Sequence, residues 1–444
     1  MARILFLIIF TVALWLAFRG YKKVYQNILL GRKGSAEETA HKGGLRKMLL
    51  VAFGQQKMFK RPIPAVLHLF IYVAFIFTQF DLLEQIIDAL SGSHRALHPL
   101  FGGFYSFMIS FIELLSVLAL FATIVFLIRR NVLHVPRVSG KELAGWPIKD
   151  ANLILFGEIT LIIGICCMNG ADHTLYQQWP DAYHYPGNFV FTSWLGPLLF
   201  GGLSEASLQV IQQFGWWLHI LTVLGFLVYL PYSKHLHILL AFPNTFFSPD
   251  RPRGAMVNMP AIGNEVRSML GLETDPEVPQ MTEDMHFGAN DIFQLTRWNL
   301  LNAYTCTECG RCTSVCPANL TGKKLSPRKI MMDVRDRMEE VRTELNKSST
   351  EQGNQEKQAS FNDGKSLFDY ISAEEINACT TCNACVEACP VLIDPLDIIL
   401  QLRRYEILTE SAGPADWNPM FTNLENSASP WQMTIQRDEW SQAN

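Results

Sequence analysis

The chain has 444 residues, 49% of them hydrophobic, and its mean hydropathy is positive, which excludes an ordinary soluble protein. The formal net charge is −4, from 37 Lys and Arg against 41 Asp and Glu, and nothing in that balance predicts a nucleic-acid partner. The length suits two or three domains, and the acids, amides and serines gather in the last third.

Five apolar runs are long enough to cross a bilayer: about 3–18, 65–90, 104–128, 151–170 and 215–232. The first, "MARILFLIIFTVALWLAF", has the look of a secretory signal, but no small-x-small cleavage site follows and "RGYKK" comes at once. A retained anchor is the better reading. A sixth stretch, "FVFTSWLGPLLFGGL" from Phe189, is broken by Gly and Pro and reads as interfacial or re-entrant.

The loops between the runs set an orientation. Arg19 to Arg61 holds eleven Lys and Arg against two acids, and Arg129 to Asp150 holds five against two. The loop from Asp81 to Gly103 has one Arg, and that from Ala171 to Phe214 has no Lys or Arg. Positive loops stay in the cytoplasm. The expectation is an inner-membrane, multi-pass protein with its N-terminus outside and its C-terminal part in the cytoplasm.

Residues 1–241 therefore read as a transmembrane domain and 242–290 as a linker rich in Pro, Gly and Asn. Residues 291–410 read as a compact domain with a polar insertion at about 341–365, and 411–444 as a tail without clear periodicity.

Eight of the ten cysteines lie in that compact domain, as Cys306-x2-Cys309-x2-Cys312-x3-Cys316-Pro and again as Cys379-x2-Cys382-x2-Cys385-x3-Cys389-Pro. This is the bacterial ferredoxin run for 4Fe–4S clusters, in which the fourth cysteine serves the other cluster. One cluster is assigned to Cys306, Cys309, Cys312 and Cys389, the other to Cys379, Cys382, Cys385 and Cys316. Structural zinc is the bland alternative, but zinc ribbons offer two CxxC pairs further apart, without the third tight cysteine or the Pro. Metal-holding thiolates persist best in a reducing compartment, which again places this domain in the cytoplasm.

Histidines mark the membrane part. His219 and His237 are eighteen residues apart, five turns of a continuous helix, with Pro231 between them. His68 lies near the cytoplasmic end of the second run, at the depth expected for His237. That pairing suits two axial ligands of a b-type haem, while the bland reading is interfacial histidines. His219 suggests a second haem without an obvious partner, since His98 and His173 lie in or near loops. His235 reads as a surface residue beside Lys234. Glu113 and Glu158 inside spans read equally as proton carriers for a quinone or as helix–helix hydrogen bonds. Cys166 and Cys167 read as packing residues.

Five spans with histidines in the second and fifth resemble the cytochrome b subunit of respiratory nitrate reductase. The likeness is carried by "WWLHILTVLGFLVYLPYSKHLH", and implies His219, His237 and His68 as haem ligands. That family has a further His in the second helix where this chain has Thr78. "TGKKLSPRKIMMDVRDRM" and "IDPLDIILQLRRYEIL" after the two cysteine runs are similar to the small iron–sulfur subunit of heterodisulfide reductases. The resemblance as a whole is to membrane-bound heterodisulfide reductase-type electron carriers.

It implies an all-α protein: a five-helix transmembrane cytochrome b bundle followed by a cytoplasmic α-helical two-cluster ferredoxin domain. The cofactors implied are two 4Fe–4S clusters, one or two haems b and a membrane quinone, with menaquinone first among the candidates. The implied function is electron transfer between that quinone and a cytoplasmic CCG-domain protein or flavoprotein, as part of a quinone-linked oxidoreductase with its catalytic site on another chain. The opposite direction, from quinol to a cytoplasmic reductase, and a non-haem anchor for a redox complex are the alternatives. A transporter would need broken, duplicated halves, which the membrane part lacks. No dinucleotide fingerprint is present, so NAD and flavin are not expected on this chain.

Overall fold

A computed structural model describes residues 2–252, 254–278, 280–282, 285–347, 361–431 and 441. Among these the protein is helical without strands, and one isolated bridge joins Arg32 to Thr296.

Five helices are long and apolar enough to cross a membrane. They are α1 (Ala2–Ile28), α2 (Pro62–Ser91), α3 (His98–Asn131), α4 (Trp146–Gln178) and α6 (Glu205–Tyr229), with the nine-residue α5 (Thr192–Phe200) between the last two. Each span extends past its apolar run. Proline at the first turn of α2, α3 and α4 starts the helix where an N–H would go unpaired anyway. The α4–α6 pair packs closest. A Cβ on Gly164 would stand 2.8 Å from the His219 backbone N, and one on Gly215 would stand 2.5 Å from Met168 N. Small residues thus let the two backbones approach.

The fifth span does not run on to His237. Pro231 follows the last turn of α6, Ser233 is extended, and two short 3₁₀ turns lead into a new helix, α7 (His237–Phe246). The eighteen-residue interval therefore does not mark one helical face. The ring that removes a backbone donor also ends the helix.

The stretch read as a linker contains the second half of α7 and then α8 (Pro260–Met269). The C-terminal unit is built on α9 (Arg297–Thr305), α10 (Pro327–Lys347) and α11 (Pro395–Arg404). The polar insertion is shorter than expected at its start. Residues 341–347 continue α10 and bury Val341, Arg342 and Leu345, while 348–360 lie outside the described residues. The tail carries one helix, α12 (Trp417–Ser427), with no buried residue. The C-terminal core is shared: Val24, Leu30 and Leu236 from the membrane part pack into it. Asn27 also donates to the Tyr304 hydroxyl (2.6 Å) and accepts from Arg342 (2.8 Å).

Candidate redox site

The two cysteine runs adopt one backbone design. A helix delivers the first cysteine: α9 before Cys306, capped by Thr296 and Asn299, and Ala373–Asn377 before Cys379, capped by Ser372 and Glu375. The second residue after each first cysteine, Glu308 and Thr381, has φ near +55°, and the fourth, Gly310 and Asn383, has φ of +69° and +63°. Such alternation turns successive N–H groups into a concavity suited to an iron–sulfur centre. Backbone N–H groups of Thr381 and Ile393 also donate to the sulfurs of Cys379 (3.4 Å) and Cys389 (3.3 Å). Each run ends in Cys-Pro, where Pro starts the following short helix after Cys316 and opens a turn after Cys389.

Both cysteine runs draw close to one another. Cys312 lies within electrostatic reach of Cys306, Cys309 and Cys389 and also of Cys385, and Cys389 within reach of Cys309. Cys385 reaches Cys379 and Cys316, and Cys379 reaches Cys316 and Cys382. A small cavity is lined by Cys316, Cys379, Cys382 and Cys385. Among the described residues no three His, Cys, Asp or Glu side chains converge on one ion. Burial pushes the Cys306 thiol up to about 12 and the Cys389 thiol up to about 11. Such groups stay neutral unless a metal takes their protons. Cys382 is exposed, whereas Cys306, Cys316, Cys385 and Cys389 are buried.

The first quartet faces the membrane part. Arg137, in the loop after α3, donates to the Cys309 carbonyl (2.8 Å), and Arg311 donates to the carbonyls of Lys57 and Met58 (3.3 Å each). Lys234 pairs with Glu308, and its charge is disfavoured chiefly by burial. Arg311 also lies close enough to act on both Cys389 and His68.

His68 and His237 come together as expected, with ring centroids 6.4 Å apart and planes at 45°. Two metal–nitrogen bonds of about 2 Å each, plus the ring half-widths, span about 6 Å. Each ring is fixed through Nδ1: His68 by Gln55 Oε1 (3.2 Å) and His237 by the Lys234 carbonyl (3.1 Å). With Nδ1–H engaged, Nε2 carries the free lone pair on both rings, which is the arrangement that orients metal ligands. His235 is not a surface residue. Its ring stands 5.7 Å from that of His237, its Nδ1 is buried without a partner, and its Nε2 is 3.9 Å from Glu158.

His219 is buried, and no histidine joins it. Its Nδ1 meets Gln85 Nε2 (3.0 Å), which also donates to Asp81 (2.7 Å). His98 packs on Tyr105 and Tyr185, and His173 on Phe189. Glu113 accepts from the backbone N–H groups of Phe191 (2.7 Å) and Thr192 (3.0 Å), so it caps α5. Glu158 accepts from Thr123 (2.9 Å). Cys166 packs beside Ala74, Leu115 and Ile162.

Sequence reasoning passed over Arg95. It is buried at the far end of the bundle, bonded to Asp172 (2.9 Å) and Asn169 (2.6 Å), with Asp81 and Glu84 each at 3.7 Å. A lone arginine between two spans was the available signal.

Residues 305–393 match the family described as a 4Fe-4S dicluster domain. Over 98% of its length the chain is similar to the probable iron-sulfur-binding oxidoreductase FadF of Bacillus subtilis, at 30% identity and covering 60% of that protein. It is 24% identical to the EtfAB:quinone oxidoreductase of Syntrophomonas wolfei, over 86% of this chain and 51% of that one. A probable membrane-anchored ferredoxin of Chromohalobacter salexigens is 34% identical over 30% of the chain. The chain thus spans 60% and 51% of the length of the first two relatives. No solved structure matches it. The chain thus combines a 4Fe-4S dicluster match at residues 305–393 with five helices long and apolar enough to cross a membrane, and it is similar to iron–sulfur oxidoreductases.

Proposed function

We propose that the chain is the membrane electron-transfer subunit of a quinone-linked oxidoreductase. When bound, two 4Fe–4S clusters and one haem b supply one-electron carriers between a cytoplasmic redox partner and a membrane quinone. The chain's own residues hold and space those carriers and keep water from them. Cys306, Cys309, Cys312 and Cys389 hold the cluster nearer the membrane, and Cys316, Cys379, Cys382 and Cys385 the other. His68 and His237 hold the haem. The exposed Cys382 marks the side on which the cytoplasmic partner docks. His219 has Gln85 as its neighbour.

The observation that carries this reading is the His68–His237 pair, each ring anchored through Nδ1, with Arg311 reaching from it to the first quartet. The proposed direction, cytoplasm to quinone, and a flavoprotein as donor rest on the relative named EtfAB:quinone oxidoreductase. A CCG-domain protein is the other candidate partner, and in either case the substrate site lies outside the residues described. In this reading the N-terminus is outside and the cysteine-rich unit is cytoplasmic.

The test is quinone reduction by the full chain in liposomes, with a chemically reduced flavoprotein as donor. Reduction should proceed in the wild type and stop in Cys306→Ser and in His237→Leu. Unimpaired reduction in His237→Leu would refute the haem as part of the route.

A further inference from the structure

Between the membrane part and the first cysteine loop lies an open groove of about 760 Å³. Its floor joins the start of α2 (Arg61, Ile63), the end of α3 (Arg129) and the loop carrying Arg137 to Ser314 and Leu320 of the C-terminal unit. Both helix ends belong to candidate spans, so the groove sits at the level of lipid headgroups.

Its charge is one-sided. Among the described residues Arg61, Arg129 and Arg137 have no carboxylate within ion-pair distance. Lys60 is paired with Glu387, and Glu142, the acid on the wall, is taken by Arg328 (2.6 Å). Arg137 is crowded by Arg61, Arg129 and Arg311. Arg137 and Arg311 also lie within electrostatic reach of Cys309. Among the described residues the Arg61 side chain has only the Ser314 hydroxyl (2.7 Å), and the Arg129 side chain has no hydrogen bond. Like charges gathered without a counter-ion invite an anion. The rim is apolar: Ile63 is 67% and Leu320 69% exposed.

We propose that this groove binds the phosphodiester of an anionic phospholipid, its phosphate on Arg61 and Arg129 and its acyl chains along Ile63 and Leu320. Basic pockets at the cytoplasmic ends of spanning helices recognise such headgroups, and the apolar rim separates a lipid from free phosphate. The lipid would then bridge the membrane part and the loop of the first cluster.

The test uses the full chain in detergent, titrated with dioleoyl phosphatidylglycerol, with dioleoyl phosphatidylcholine, or with inorganic phosphate alone. Melting temperature and lipid phosphorus retained per chain are read, with iron content as the control for folding. Phosphatidylglycerol should raise the melting temperature more than phosphatidylcholine and be retained at about one per chain. Arg61→Gln with Arg129→Gln should erase that difference at unchanged iron content, and Arg129→Lys should keep it. Equal shifts from the two lipids in the wild type overturn the proposal whether or not the variants fold. A full effect from inorganic phosphate alone overturns the lipid in favour of a free anion.

Discussion

The imidazoles of His68 and His237 lie 6.4 Å apart although the chain runs through three further spans between them. His237 reaches that position only because the chain breaks at Pro231 and restarts as α7. The anchor on His68 is Gln55, a buried side chain at a backbone φ of +50°. Gln55→Met removes the acceptor that holds Nδ1. Loss of such an outer partner weakens metal affinity by about 10–100-fold. Haem should therefore leave the variant on dilution, read from the Soret band, while its iron–sulfur content stays constant.

The crossed quartets make a prediction that local pairing does not. Cys389→Ser should damage the same cluster as Cys306→Ser, and Cys316→Ser the same one as Cys379→Ser. Each variant should fall from about eight to about four non-haem irons per chain. The two groups should show different electron paramagnetic resonance spectra. If Cys389→Ser matched Cys379→Ser instead, the assignment would be wrong.

The dicluster motif was legible because an iron–sulfur loop is local: four cysteines and a proline fix its shape within twelve residues. Helix ends were less legible. The His219–His237 spacing mimicked one helical face, and only the backbone consequence of Pro231 shows otherwise. His219 was singled out for its position, but its neighbours Gln85 and Asp81 come from a distant helix. The Arg95 group is likewise assembled from α2, α3, α4 and the loop between α2 and α3, so no single stretch displays it.

Close packing of α4 on α6 rests on Gly215. Gly215→Ala would press a methyl against the Met168 backbone N. Overpacking of this kind costs about 1–3 kcal/mol, read as a lower melting temperature in detergent. Gly225→Ala on the same helix is the control. A Cβ there meets nothing within 4 Å, and relief of the glycine penalty should leave stability equal or higher, by up to about 1 kcal/mol.

The Arg32–Glu38 pair should give the fold an acid-sensitive tether. Burial raises the Glu38 carboxyl, but hydrogen bonds from Arg32 and Ser35 outweigh it and bring it down to about 2. A carboxylate depressed in the folded state stabilises at pH above its unfolded value near 4.5, and that stability is lost as pH falls toward 2. Arg32 is partly exposed, so the pair is worth about 1 kcal/mol. Glu38→Gln should lower the melting temperature at pH 7, and its difference from the wild type should shrink progressively below pH 4.5. A difference that stayed constant down to pH 3 would count against the pair.

The central claim is that one chain joins two clusters to a haem in the membrane. A visible spectrum with a pyridine haemochrome assay on the purified full chain, with non-haem iron and sulfide counted alongside, tests it most directly. The account predicts b-type bands that respond to quinol, one haem, and about eight irons and eight sulfides per chain. Two haems would give His219 a partner it lacks here. A full complement of clusters with no haem, in a preparation shown to retain its cofactors, would contradict the account and leave the five spans as an anchor.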